Sequence, residues 1–180
     1  SRIFLPEPAA ASFRLGAVYS ALVEEGAEVR VLTTQPAPSS EAVLTVASPQ
    51  IKRWPALRDK TGYVRGYLPY MSFDIPLFFR LLAERRPDVI LVEPPPTTGA
   101  VTRVAAALKR VPYVWYAADV WSDATEVSGA PPIIVSVLRF IERFAIRGAS
   151  GVIAVSDGVA QRVKELGGKN IRVIPNGIDT

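Results

Sequence analysis

The chain has 180 residues, 49% of them hydrophobic and 21% charged, with 12 Gly and 16 Pro, which excludes wholesale disorder, collagen and coiled coil and leaves room for a real core. The net charge of +4 is mild and spread along the chain, so it indicates no nucleic-acid partner. With no Cys and no His, the chain has no disulfide, thiolate nucleophile, Ser-His-Asp triad or Cys- or His-ligated metal of its own.

No apolar run approaches the ~20 residues that a bilayer crossing needs, and no signal peptide is visible, so a cytoplasmic location is expected. The missing initiator Met suggests part of a longer product.

Arg2-Ile3-Phe4-Leu5 is a short apolar run closed by prolines and reads as a buried strand. Leu15, Val18 and Leu22 then recur at i, i+3 and i+7, the spacing of one helix face, and Gly26 suits the left-handed position that ends a helix. Val29 to Thr33 is a β-branched strand that completes a βαβ spacing. Residues 35–70 contain five prolines and predict short strands around Leu44 and Val64 between long loops. A helix is expected over Phe73–Arg86, a strand over Asp88–Val92, a helix over Thr97–Arg110 and a strand over Pro112–Tyr116. Pro131 to Arg147 is an amphipathic helix with Ile134, Val137, Leu138, Ile141, Phe144 and Ala145 on one face and Ser136, Arg139, Glu142 and Arg143 off it. Gly151–Val155 and Ile171–Ile174 read as strands around a helix from Asp157 to Leu166, and Pro175-Asn176-Gly177 reads as a turn. Near-continuous apolar strands alternating with helices predict an α/β fold, a Rossmann-like three-layer α/β/α domain with a mainly parallel sheet.

In such a sheet, ligands bind beyond the carboxyl ends of the strands. That rule selects four segments. Pro6 to Arg14 lacks both the GxGxxG and the GxxxxGK[ST] fingerprints and is a poor dinucleotide cradle. Ser12 is a candidate N-cap there, and Arg14, in the first helical turn, either faces an anion or is an exposed arginine. In Glu93 to Thr98, three prolines stiffen the strand exit, and Thr97 or Thr98 can cap the next helix; the reading is a polar-ligand site or a stiff loop plus a cap. Ala117 to Asp123 puts Asp119, Asp123 and Trp121 together, groups that suit sugar hydroxyls and a sugar-ring face, or else a solvated capping loop. Ser156 reads as an N-cap. A basic, aromatic segment from Lys52 to Tyr70, followed by Phe73, Ile75, Leu77, Phe78 and Phe79, suits an anionic membrane surface or a loop face plus a core helix.

Seven pieces occur in a telling order: Pro6-Glu7-Pro8 leading to Arg14, then EEGAEVRVLTTQP, YMSF, RRPDVILVEPPP, VPYVWYAADVWSDATEVSG, IERFAIRGASGVIAVSDGVAQRVKELG and IRVIPNGID. Together they resemble the N-terminal domain of a family-4 glycosyltransferase of GT-B architecture, over essentially the whole chain. The branch resembled is that of bacterial O-antigen and capsule N-acetylfucosaminyl transferases. The resemblance implies retaining transfer of a hexosyl or N-acetylhexosaminyl group from a nucleotide sugar to a glycan or lipid-linked acceptor in cell-surface polysaccharide synthesis, with no cofactor and no metal in the chemical step.

It also implies that the donor binds mainly in a second Rossmann-like domain bearing two glutamates separated by seven residues. No such pair is present, so residues 1–180 are expected to be the acceptor-side half, inactive alone, with peripheral contact to the inner face of the plasma membrane. By resemblance, Asp119 orients the acceptor or the transferred sugar, and Arg14, with Ser12 in the same loop, faces a donor phosphate or a lipid diphosphate. Glu93, Thr97 and Trp121 line the cleft, and Asn176 and Gly177 sit at a hinge. The chain departs from the pattern at Ala9-Ala10-Ala11, where relatives carry a glycine pair, and at Ala118, where the branch has Arg. It departs again at Ser122-Asp123, where the branch has Pro-Glu, and it lacks the catalytic His of many relatives. Those losses leave a non-catalytic Rossmann-like binding or membrane-docking module as the alternative.

Overall fold

The computed structural model describes residues 1–37, 50–64 and 66–176. The chain forms two compact units, Ser1–Phe73 and Asp74–Thr180.

In the first unit, α1 (Ala10–Glu24) precedes two strands, β1 (Val31–Thr34) and β2 (Ile51–Trp54), which pair in parallel from Val31↔Ile51 to Thr34↔Trp54. α2 (Tyr67–Ala83) begins in this unit and continues into the next. Gly26 takes φ +84 just past α1, the left-handed ending expected of it. Two expected strands do not form. In Arg2–Leu5, the Ser1 hydroxyl donates to Ile3 O (2.7 Å) and accepts from Ile3 N (3.2 Å), while Thr34 Oγ1 donates to Arg2 O (2.7 Å). Hydroxyls thus take backbone groups that a strand ladder would use. Before Val64, the Asp59 carboxylate accepts from Thr61 N (2.9 Å), Thr61 Oγ1 (2.6 Å) and Tyr63 N (3.0 Å), folding the backbone into a turn. The expected strand at Leu44 lies outside the described residues.

The second unit carries β3 (Ile90–Val92), α3 (Pro96–Lys109), β4 (Tyr113–Ala117), α4 (Trp121–Val127), α5 (Pro132–Gly148), β5 (Gly151–Ala154), α6 (Asp157–Glu165) and β6 (Ile171–Val173). All four strands are parallel, in the order β3-β4-β5-β6. Strand order equals chain order, so right-handed crossovers carry successive helices over the same face. One apolar cluster agrees: Trp115 and Val152 of the sheet pack with Ala106 of α3, Ala145 and Ile146 of α5, and Val163 of α6. The approach is close at Gly99, where a Cβ would lie 2.1 Å from Trp115 Cζ3 and 2.9 Å from Ala145 Cβ. Tyr113 donates its hydroxyl to Ala145 O, and burial pushes that phenol up to about 12. The fold is thus α/β, with parallel strands alternating with helices in the Rossmann-like manner.

Two features of this unit differ from expectation. The segment from Trp121 is a short helix, α4, rather than a loop. In α5, Ile134, Val137 and Phe144 of the expected core face are exposed, whereas Glu142, expected off that face, is 1% exposed beside buried Val135, Ala145 and Ile146.

Candidate functional site

The parallel register aligns the carboxyl ends of the second unit's strands. Val92 pairs with Trp115, and Ala117 with Ala154, so the residues that follow emerge along one edge. Glu93 comes directly after β3 and is buried; Asp119 comes two residues after β4 and is exposed. Trp121 opens α4 half-buried, and Ser156, two residues after β5, caps α6 by accepting from Val159 N at 3.3 Å, as its position in the sequence suggests. Asn176 follows β6 and is exposed; Gly177 lies outside the described residues. Glu93, Thr97, Asp119, Trp121 and Asn176 therefore belong to one edge of one sheet.

Neither threonine caps α3. The helix starts at Pro96, with Pro95 as N-cap and no side-chain cap among the described residues. Proline fits this first position because its missing N–H is not needed there. Thr97 and Thr98 fall inside the first turn, and their hydroxyls are used differently. Thr98 Oγ1 donates to buried Asp74 at 2.6 Å, while the Thr97 hydroxyl is buried with no hydrogen-bond partner among the described residues.

The two carboxylates of the Asp119–Asp123 stretch also separate in role. Asp123 is held by Arg162 through two bonds of 2.7 Å, with Arg139 at 3.8 Å, and the hydrogen bonds from Arg162 hold its carboxyl below the usual range. That makes Asp123 a tie between α4 and α6. Asp119 stands ahead of α4 and is exposed to solvent.

The group that fixes this stretch is Glu142, from α5. Its carboxylate accepts from Trp121 N (2.8 Å) and Ser122 N (3.1 Å), the first amides of α4, which have no partner within the helix. No side chain at the N-cap of α4 does this work, so a remote acid supplies it. Burial pushes the Glu142 carboxyl up, partly offset by the bonds from Ser122 and Trp121.

Ser12 and Arg14 lie in the first unit. α1 starts at Ala10 with Ala9 as N-cap and no side-chain cap among the described residues, so Ser12 is not the N-cap. It is the third helical residue, fully buried, its hydroxyl without a partner among the described residues. Arg14 falls one residue past the first turn, not within it as expected, and is half-buried, so the positive field of the helix start acts on it less. The polar centre of this unit is Glu7, which sequence reading did not single out. It is buried, paired with Arg58 Nη2 at 2.5 Å and bonded by Ala37 N at 3.3 Å. Beside it opens a cavity of about 110 Å³ lined by Glu7, Pro8, Ala9, Ala37 and Tyr63 among others. Arg58 also donates to Gly62 O, and Arg53 to Leu5 O, both at 2.7 Å. Two cations of the basic, aromatic segment are therefore engaged inside their own unit, and Arg65 lies outside the described residues.

Glu7 and Glu142 both lie in segments that carry the resemblance, but neither segment's local chemistry marks the residue as a buried acceptor. The signal available for Glu142 is its spacing, three and seven residues from Ala145 and Val135, both buried.

The family model of the glycosyl transferase 4-like domain matches residues 11–177, and the chain belongs to that family. No curated protein matches it. The chain is accordingly a glycosyltransferase domain of family-4 type. Among the described residues, no helix is long and apolar enough to cross a membrane.

Proposed function

We propose that this chain is the acceptor-side, N-terminal half of a retaining GT-B enzyme. The enzyme would transfer a hexosyl or N-acetylhexosaminyl group from a nucleotide sugar to a glycan or lipid-linked acceptor in cell-surface polysaccharide synthesis, at the face of a membrane. The observation that supports this reading is the edge carrying Glu93, Thr97, Asp119 and Trp121 in a chain matched by the family model from residue 11 to 177. Asp119 is the exposed carboxylate of that edge two residues past β4, suited by its position to orienting a sugar hydroxyl. The Trp121 ring suits a sugar face, and the buried hydroxyl of Thr97 and carboxylate of Glu93 suit polar contacts at the cleft wall. Arg14, with Ser12 on the same helix, is the proposed partner of a phosphate or diphosphate, and Asn176-Gly177 the proposed hinge. The donor would bind mainly in a second domain.

The test has two arms. Calorimetry on residues 1–180 should show no tight binding of UDP- or GDP-sugars, and tight binding refutes the half-enzyme reading. In a chain carrying both domains, Asp119→Ala should cut turnover about a hundredfold or more. Its melting temperature should stay nearly constant, because the side chain is exposed. Normal turnover removes Asp119 from the site.

A further inference from the structure

We propose that α5 docks the protein on an anionic lipid surface through a stripe made by Ile133, Val137, Phe140 and Phe144. These four recur at i, i+4, i+7 and i+11, which brings them into one narrow arc of the helix. They are 72%, 54%, 72% and 36% exposed. The core does not need this arc, because α5 already buries Val135, Ala145 and Ile146 on another.

Charge selects the occupant. Arg143 and Arg147, both exposed, border one side of the stripe, and Arg103 of α3 lies 4.1 Å over the Phe144 ring. The sole acid on α5 is Glu142, which is buried, so no exposed acid of the helix faces a lipid phosphate. The nearby acids are engaged: Glu126 by Arg139 at 2.7 Å and Asp123 by Arg162. An apolar stripe with an arginine border is the pattern of a helix lying in a lipid interface. A symmetric dimer pairing this stripe antiparallel would bring the two arginine borders together, where like charges repel; anionic lipid neutralises them. α2 also exposes Leu68, Ile75 and Phe79, but its charged residues are buried Asp74 and half-buried Arg80, so no exposed cation on that helix borders them.

The inference deepens the peripheral-membrane part of the reading above and rests on it. Its test is flotation of residues 1–180 with vesicles of phosphatidylcholine plus phosphatidylglycerol, and with phosphatidylcholine alone, in the absence of donor and acceptor. The wild type should float with the mixed vesicles, stay down with the neutral ones, and be released by raised salt. Arg143→Gln with Arg147→Gln should lower partitioning about thirtyfold. Val137→Ser with Phe140→Ser should abolish flotation and leave the melting temperature unchanged, since both side chains face solvent. A wild type that stays down with both vesicle types, or an arginine variant that floats like it, overturns the proposal. So does a dimer in analytical ultracentrifugation that Phe140→Ser dissociates while vesicles bind nothing, which assigns the stripe to a second copy. Failure here, with turnover of a soluble acceptor by the two-domain enzyme intact, leaves the glycosyl-transfer reading standing.

Discussion

Replacing Glu142 tests whether one buried carboxylate organises the stretch that carries Asp119 and Trp121. Glu142→Ala removes the acceptor for two amides, Trp121 N at 2.8 Å and Ser122 N at 3.1 Å. Each bond to a charged acceptor is worth about 1.5–3 kcal/mol, and a buried amide left unpaired costs a similar amount. Against this stands the cost of burying the carboxylate, visible as its raised pKa. The net loss for Ala should be about 3 kcal/mol, and Glu142→Gln, which keeps one acceptor oxygen, should lose about 1–2 kcal/mol. For a chain of this size that is a drop of about 6–12 °C in melting temperature for Ala and about 2–8 °C for Gln, read by circular dichroism. The pH dependence supplies an independent arm. A carboxyl whose folded pKa is raised binds its proton more tightly in the folded state. Its contribution is full below the ordinary value of 4.5 and is lost as pH rises through the folded value. The stability advantage of wild type over Glu142→Gln should therefore shrink as pH rises above 4.5. A Glu142→Ala variant within about 0.5 kcal/mol of wild type, or an advantage that grows over that window, refutes the capping role.

Three further outcomes follow from the same geometry. Gly99→Ala should destabilise by about 3 kcal/mol or more in urea unfolding, because its Cβ would sit 2.1 Å from the buried Trp115 ring. Gly26→Ala meets nothing within 4 Å among the described residues and should cost only about 1–2 kcal/mol, the strain of a left-handed backbone. Asp123→Ala should cost at most about 1 kcal/mol despite its two-bond pair with Arg162, since both side chains are substantially exposed and water screens the pair. Because the pair depresses the Asp123 pKa, that contribution should be present above the ordinary 3.8 and disappear as acid titration passes below it.

Where local periodicity and burial coincide, the sequence is a sound guide. β3, β4 and β5 appear within a residue or two of the apolar runs that announce them, and Ser156 caps α6 as its position before a helix suggests. The failures are competitions that no local window contains. Arg2–Leu5 has a strand's composition, but hydroxyls of Ser1 and Thr34 take backbone groups a ladder would use. Thr97 looks like a cap until Pro96 begins the helix a residue earlier. For the candidate site, the edge itself was legible from strand ends, and Asp119 with it. That Asp123 is tied to a residue 39 positions away was not.

α5 explains why the most informative residue escaped notice. The helix carries two stripes of heptad spacing. Ile133, Val137, Phe140 and Phe144 are wholly apolar; Val135, Leu138, Glu142 and Ala145 are interrupted by an acid. Transfer free energies alone favour burying the first, and the fold buries Val135, Glu142 and Ala145 of the second, with Leu138 half-buried. The reason lies in α4, whose opening amides need an acceptor that its own sequence does not provide. Turning Glu142 inward supplies that acceptor and, by the rigidity of a helix, turns Phe140 and Val137 outward. The exposed stripe and the buried acid are therefore two consequences of one rotational setting. A variant that gives α4 its own cap while keeping the buried volume at position 120, Val120→Thr combined with Glu142→Leu, should keep the helix stable without the buried carboxylate. If that pair restores the melting temperature lost in Glu142→Leu alone, the setting of α5 is fixed by the amides of α4; if it restores nothing, another contact fixes it.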